Sequence, residues 1–359
     1  MPQFSVIIPT YNRAQFLDKA IQSVLAQTYR DYELIVCDDG STDDTAQVLA
    51  RYPGLTVVHS PRLGPGGARN AALAVATGEY ISCLDSDDLW MSHTLEMVNA
   101  VLTWHQGDGG AFVFLTAGDL ANHGEEGMAA RAHRVGVASE ATESALDVSW
   151  YEDIAAAHAC GVRLGSGLLG AAPADALRRA GGFAKGVIIA EDVDLALRAS
   201  VEVPVAVIER PATVLCRAHP GQITRSPQAM YSGGEMLLTQ LRQGAYQGHT
   251  GRQAQVREII ARHVGAATFS LARRGEYTLS WRLYRQLVAD GLVAPRITTT
   301  WATPLAWLLR PLGVLHLAEA LFRRIQVRHG FWSPTPRTVH RSAPRQHTSH
   351  HLPPCTRGK

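Results

Sequence analysis

Three carboxylates stand in four residues at Asp85-Ser86-Asp87-Asp88, directly after the apolar run Tyr80–Leu84. At that spacing they repel one another unless a cation offsets them. Mg2+ and Mn2+ suit the task because both prefer oxygen ligands. A second acidic pair, Asp38-Asp39, follows the apolar run Tyr32–Cys37 and opens D-D-G-S. This is good turn chemistry. A third pair, Glu191-Asp192, heads a helical stretch. Acidic residues there suit the helix dipole. Arg69 follows Gly64-Pro65-Gly66-Gly67. Its guanidinium suits either a phosphate held at a helix N-terminus or an ion pair with the strand-end carboxylates.

These residues need elements to carry them. Phe4–Pro9 is a short β-branched run ending in proline and reads as a buried strand. Phe16, Leu17, Ala20, Ile21, Val24 and Leu25 recur at helical spacing and predict a helix over Ala14–Gln27. Tyr32–Cys37, Leu55–His59 and Tyr80–Leu84 predict further strands. Between them, Thr42–Tyr52 predicts a helix, and the glycine-rich turn opens another over Ala68–Ala76. Four strand–helix alternations in the first hundred residues argue for a parallel sheet with helices on both faces. Ligands in such sheets sit beyond the carboxyl ends of the strands, the edge where Asp38-Asp39 and Asp85–Asp88 fall. Ala111–Thr116 predicts a strand, and 117–147 a variable excursion. Order returns at Gly165–Gly170, with a helix over Pro173–Ala180, Glu191–Ala199 as another, and Val203–Val207 as a strand. Residues 230–330 read as helical with breaks at Pro304 and Pro311, and 331–359 as a disordered tail rich in Pro, Arg and His. The expected domains are 1–228, 229–330 and 331–359.

Composition excludes several classes. With 46% hydrophobic and 18% charged residues among 359, the chain can bury a large core. Its five scattered cysteines include no C-x-x-C pair, which excludes a disulfide scaffold or zinc module and suits a reducing compartment. The N-terminal residues do not read as a signal peptide. The net charge of +2 conceals a gradient. Residues 1–120 carry 6 Lys+Arg against 14 Asp+Glu, 121–230 carry 10 against 13, and 231–359 carry 18 against 5. An acidic front suggests a metal-using catalytic part, and a basic rear suggests an anionic partner.

Four stretches stand in order: VIIPTYNR, VCDDGSTDDT, ARNAAL…GEYISCLDSDD and GGF…EDVDLALR. Over about residues 3–225 this resembles the family 2 inverting glycosyltransferases. The resemblance implies the GT-A fold: a mostly parallel α/β sheet flanked by helices, with a Rossmann-like nucleotide-binding half, here followed by a helical C-terminal segment. It implies that Asp38 and Asp39 read the base, typically uracil, and that Pro9, Thr10 and Tyr11 line the same pocket. Asp85-Ser86-Asp87 matches D-x-D, making Asp87 the first choice of metal ligand. Asp85 and Ser86 then fall on the donor side, and Asp88 can stand in as a ligand. Arg69 lies close to the donor diphosphate in the family, or pairs with a carboxylate. By its match to the E-D motif Asp192 is the catalytic base, with Glu191 orienting acceptor or sugar. His219, beside Arg217 in CRAHPGQIT, completes the metal shell or touches the diphosphate, unless it is structural.

The implied reaction moves a sugar from a nucleotide diphosphate donor, UDP-linked by preference, to a hydroxyl of a glycan or lipid-linked acceptor, as in cell-surface polysaccharide biosynthesis. Mn2+ or Mg2+ is the expected cofactor. Two other readings remain open: a nucleotidyltransferase with a similar sheet, and a non-catalytic protein binding sugar nucleotides or membrane. G-x-G-x-x-G is absent after the first strand, against a Rossmann dehydrogenase. Q-x-x-R-W is absent, against a processive membrane synthase. Trp301–Phe322 is apolar but holds Pro304, Arg310 and Pro311, against a membrane span. Its tryptophans and flanking arginines suit an anionic membrane surface or a packed helical subdomain with a solvated basic face. Nucleic acid is disfavoured, since no aromatic-rich recognition motif accompanies the charge. The expected location is cytoplasmic, peripheral at the inner face of the membrane.

Overall fold

The computed structural model describes residues 1–105, 110–119, 146–159, 169–201 and 203–293. They fall into two units. One is Met1–Arg225 with Gly244–Gln255; the other is Ser226–Gln243 with Val256–Lys359. The first unit begins β1 (Phe4–Thr10), α1 (Ala14–Leu25), β2 (Tyr32–Asp38), α2 (Thr45–Leu49), β3 (Thr56–His59), α3 (Gly64–Val75) and β4 (Tyr80–Cys83). Every residue of β1 is buried, as a central parallel strand covered on both faces requires. β1 pairs in parallel with β2 and β4, and β2 with β3. The register sets Thr10 opposite Asp38, so the strands end at one edge. On α1, Leu17, Ala20, Ile21 and Val24 are buried. At 3.6 residues per turn they form one stripe, and each large side chain contributes about 1.5–3 kcal/mol by leaving water.

The chain continues through β5 (Leu89–Trp90), α4 (Thr94–Trp104), β6 (Phe112–Phe114), β7 (Ala117–Asp119), β8 (Asp147–Tyr151), α5 (Ile154–Ala159) and β9 (Leu169–Pro173). It then forms α6 (Ala174–Arg179), α7 (Glu191–Ala199), β10 (Val205–Arg210) and β11 (Val214–Cys216). The main sheet runs β3-β2-β1-β4-β9-β6-β10-β8. β9 is antiparallel to β4 and β6, and β8 to β10; the remaining pairings are parallel. A second sheet, β5-β11-β7, sets the residues after the acidic cluster beside those before Arg217.

Two element boundaries differ from expectation for visible reasons. α3 starts at Gly64, not Ala68, because Gly64 takes a left-handed φ of 78° and Pro65 is preorganised for the first turn. α2 starts at Thr45, not Thr42. Asn12 Oδ1 accepts the Thr42 N–H at 2.7 Å and Asp43 Oδ1 that of Thr45 at 3.1 Å, holding the chain in a side-chain-bonded turn.

In the second unit α8 (Pro227–Arg242), most of α9 (Gln253–Arg273) and α10 (Tyr277–Ala289) are helical as expected. Ser226 caps α8 by accepting from Ala229 N at 3.2 Å. Arg242 ties α8 to Asp290 through two bonds of 2.7 and 2.9 Å. No helix among the described residues is long and apolar enough to cross a membrane. The basic tail, the apolar segment 301–322, Gly165–Leu168 and most of the 117–147 excursion lie outside the described residues.

Candidate active site

At the carboxyl edge of β1 and β2, Pro9 and Thr10 are buried and Tyr11 is half-buried. The Thr10 hydroxyl has no partner among the described residues. Asp39 is buried, its N–H donates to Thr10 O at 2.9 Å, and its carboxylate gathers the segment after β3. Oδ1 accepts from the Ser60 hydroxyl and from Leu63 N at 2.7 Å; Oδ2 accepts from Gly64 N at 2.7 Å. Asp38 is buried as well, with Oδ1 taking the Ser41 N–H at 3.0 Å. Asp38 therefore holds its own turn, as D-D-G-S chemistry suggests, while Asp39 holds the segment after β3. Asp39 Oδ2 retains capacity for a second donor. Arg62, at a left-handed φ of 54°, lies 4.6 Å over the Tyr11 ring, a cation–π contact the sequence reading missed.

Beyond β4, ligand atoms of Asp85, Asp87 and Asp88 lie within 4.8 Å of one another, with Ser86 buried between them. Each carboxylate meets a donor. Asp85 Oδ1 takes Arg69 Nη2 at 2.6 Å, and Asp87 Oδ2 takes His219 Nε2 at 2.8 Å. Asp88 Oδ1 takes the Arg217 N–H at 2.9 Å. Burial, with Asp85 adding to it, pushes the Asp88 carboxyl up to about 7 despite the Arg217 N–H. These donor oxygens, crowded together and incompletely neutralised, fit a hard divalent cation.

His219 reaches Asp87 because the β5–β11 pairing aligns their two segments. Phe16 packs beside the His219 ring at 4.7 Å between centroids, and the Arg217 guanidinium lies 4.9 Å over Phe16. Arg13 Nη2 donates to Gly221 O at 2.5 Å while its Nε stands 3.7 Å from Asp87. Arg13, the last residue of VIIPTYNR, and Phe16, read only as part of a helical stripe, were not singled out as site residues.

Arg69 joins the two acidic groups. It is 2% exposed and donates through Nη1 to Glu191 Oε1 at 2.9 Å as well as to Asp85. Burial disfavours its charge, but Asp85 and Glu191 outweigh that and raise its pKa. Conversely, burial and the neighbouring Asp192 raise the Glu191 carboxyl, and Arg69 opposes them. Arg69 is thus the sixth residue of α3, in its second turn. Of the two readings kept open for it, the ion pair is the observed one. Asn70 adds a second link the sequence did not reveal: its amide donates to Phe183 O at 2.9 Å and accepts Phe183 N–H at 2.8 Å.

Gly66 permits this approach. A Cβ there would lie 2.7 Å from Ala184 O and 3.3 Å from Glu191 Cγ. In an open helix Gly→Ala stabilises by up to about 1 kcal/mol. Here Gly66→Ala is expected to destabilise by about 1–3 kcal/mol through overpacking. Urea unfolding gives the sign, and a stabilised variant refutes the close contact.

Glu191 is buried, whereas Asp192 is half-buried and makes no hydrogen bond or ion pair among the described residues. The structure brings Asp85, Asp87, Asp88, Arg69, Glu191 and His219 into one chain of contacts. Pro9, Thr10, Tyr11, Asp38 and Asp39 form a second group along the same sheet edge.

The sheet edge thus carries a clustered acidic group joined through Arg69 to a helix headed by Glu-Asp. Residues 5–120 match the profile of glycosyl transferase family 2. A relative in Escherichia coli, UDP-Glc:alpha-D-GlcNAc-diphosphoundecaprenol beta-1,3-glucosyltransferase WfgD, is 42% identical over 96 residues, 26% of this chain and 38% of that protein. The Campylobacter jejuni GalNAc(5)-diNAcBac-PP-undecaprenol beta-1,3-glucosyltransferase is 40% identical over 101 residues, 26% of this chain and 33% of its own. The chain thus spans about a third of the length of either relative. The crystal structure of S. aureus TarS 1-349 in complex with UDP-GlcNAc aligns over 91% of this chain and 92% of its own. Its TM-score is 0.58 at 21% identity, a likeness of fold.

Proposed function

We propose that this chain is a metal-dependent inverting glycosyltransferase, moving a sugar from a nucleoside diphosphate donor, UDP-linked by preference, to a hydroxyl of a glycan or lipid-linked acceptor. The observation that carries the reading is the Arg69 bridge, which ties Asp85 to Glu191 and so sets the acidic cluster against the head of α7. Two matched relatives act on diphosphoundecaprenol-linked sugars by their names, and TarS was crystallised with UDP-GlcNAc. These support the acceptor and donor classes.

In this reading Thr10, Tyr11, Asp38 and Asp39 form the base pocket beside Pro9, and Asp39 Oδ2 accepts the base N–H with its remaining lone pair. Asp85, Asp87 and Asp88 hold the divalent cation, with Ser86 between them and His219 beside Asp87. When bound, the cation offsets charge on the leaving diphosphate. Asp192 takes the proton of the acceptor hydroxyl as that oxygen attacks the anomeric carbon. The bond from that carbon to the diphosphate breaks on the opposite face, so configuration inverts and nucleoside diphosphate leaves. Glu191 is held by Arg69 and orients this end of the helix.

The test is calorimetric binding of UDP, GDP and dTDP, with and without Mn2+, to wild type and Asp87→Ala. We expect one nucleotide, UDP, to bind with Mn2+ at least about tenfold more tightly than without it, and the variant to lose that gain. No binding by any nucleotide refutes the reading.

A further inference from the structure

Against the face of α7 that carries Asp194 lies a segment that the reaction above does not use. The chain enters the helical unit at Ser226, returns to the first unit for Gly244–Gln255, and leaves it again at Val256. This returning segment closes on itself: the Gln253 side-chain amide donates to the carbonyls of Tyr246, Gln247 and His249 at 3.1–3.3 Å. It is also fastened to α7. Tyr246, 1% exposed, donates its hydroxyl to Asp194 Oδ1 at 2.8 Å, and Asp194 is 0% exposed. His249, also buried, donates through Nε2 to Leu197 O at 2.7 Å. Arg252 Nη1 meets Asp153 Oδ1 at 3.0 Å, tying the segment to the start of α5.

Helix geometry gives these contacts a consequence for Asp192. Residues two apart on an α-helix point about 200° from each other. A contact that fixes Asp194 in the interior therefore aims Asp192 away from it, and Asp192 is the half-buried member of the pair. The other carboxylate oxygen of Asp194 takes Arg198 Nη2 at 2.5 Å, and Arg198 donates onward to Gly182 O at 2.8 Å and to Ala180 O. Asp194 is thus held from two sides. The junction ahead of it needs holding: Ala190, the residue before Glu191, sits at a left-handed φ of 68°. Such a conformation in a residue with a Cβ persists only where its surroundings over-determine it. Arg69 restrains α7 at Glu191, and the strap restrains it at Asp194 and Leu197.

We propose that Gly244–Gln255 is a positioning strap for α7, in which the Tyr246 hydroxyl on Asp194 and His249 on Leu197 O set the direction of Asp192. The inference rests on Asp192 being the base, and it makes Tyr246 and His249 positioning residues that touch no substrate. It also explains why a segment flanked by helices of the second unit belongs to the first.

The test uses the full chain with Tyr246→Phe, which keeps the ring and removes only the hydroxyl. Transfer kinetics and amide hydrogen exchange over residues 191–194 are both measured. We expect kcat to fall about 5- to 10-fold with the donor KM within about twofold of wild type. The amides of 191–194 should exchange about tenfold faster while those of β1 are unchanged. His249→Ala should behave likewise, and His249→Gln, which keeps a donor for Leu197 O, should recover most of the loss. An unchanged kcat overturns the strap, as does equal acceleration of exchange in β1, which marks general destabilisation. If wild-type protein transfers no sugar, the proposed function falls, and exchange at 191–194 alone decides the strap.

Discussion

Asp192→Asn is expected to lower kcat for sugar transfer by at least about a thousandfold, within the range a positioned general base supplies, while UDP with Mn2+ binds as to wild type. The reasoning is geometric before it is chemical. Of the two acidic residues heading α7, Glu191 is buried and committed to Arg69 at 2.9 Å, so its oxygen is unavailable to an acceptor. Asp192 is half-buried and makes no hydrogen bond or ion pair among the described residues. Asparagine preserves the shape and the helix but cannot take a proton at the amide. The donor pocket proposed above uses Asp39, Asp87 and their neighbours and not Asp192, so donor binding should survive. Steady-state kinetics and calorimetry on the same preparation check both halves. Transfer at near wild-type rate removes Asp192 from the mechanism, and joint loss of transfer and binding assigns it to the donor site.

Arg69→Met is expected to cost about 3 kcal/mol of stability, the low end for removing one partner of a buried ion pair, and to abolish measurable transfer. The two carboxylates it serves do not suffer equally. The Asp85 side chain keeps 32% of its surface exposed, so water can replace the guanidinium there. Glu191 keeps 4% and has no such substitute. The loss therefore falls on Glu191, already raised by burial and by Asp192, which must protonate or move. Lysine at the same position restores the charge but not the fork that reaches two carboxylates at once. Arg69→Lys should recover part of the stability and little of the activity. Urea unfolding of the three proteins measures the first quantity and transfer assays the second. An unchanged unfolding midpoint for Arg69→Met means that the bridge holds nothing.

Much of this architecture was legible in the sequence. The alternation of β-branched runs with helical spacing in the first hundred residues identified β1 to β4 and their helices, because a strand buried on both faces must be nearly all apolar. Glu191–Ala199 was read with its observed bounds, since three acidic residues in a first turn mark a helix start. The antiparallel strands β8 and β9 were not legible as such. Their direction is set by which neighbours they meet, and no local pattern encodes that.

For the site, the one-dimensional signal was carried by short acidic clusters at strand ends and by the order in which they occur. Asp38-Asp39, Asp85–Asp88 and Glu191-Asp192 could be named because mutual repulsion makes such clusters costly without a task or a partner. Which partner each would take was decided only on folding. Arg69 is 16 residues from Asp85 and 122 from Glu191, and nothing in its neighbourhood distinguishes an ion-pair bridge from a phosphate ligand. Asp87 and His219 are 132 residues apart, and Tyr246 and Asp194 are 52 apart. Sequence alone determined the residue types, the strand edge on which they stand and the class of chemistry they can perform. The tertiary structure decided which carboxylate is neutralised, which is left open and what holds it there, because burial and pairing arise from contacts between segments that approach only when the sheet closes.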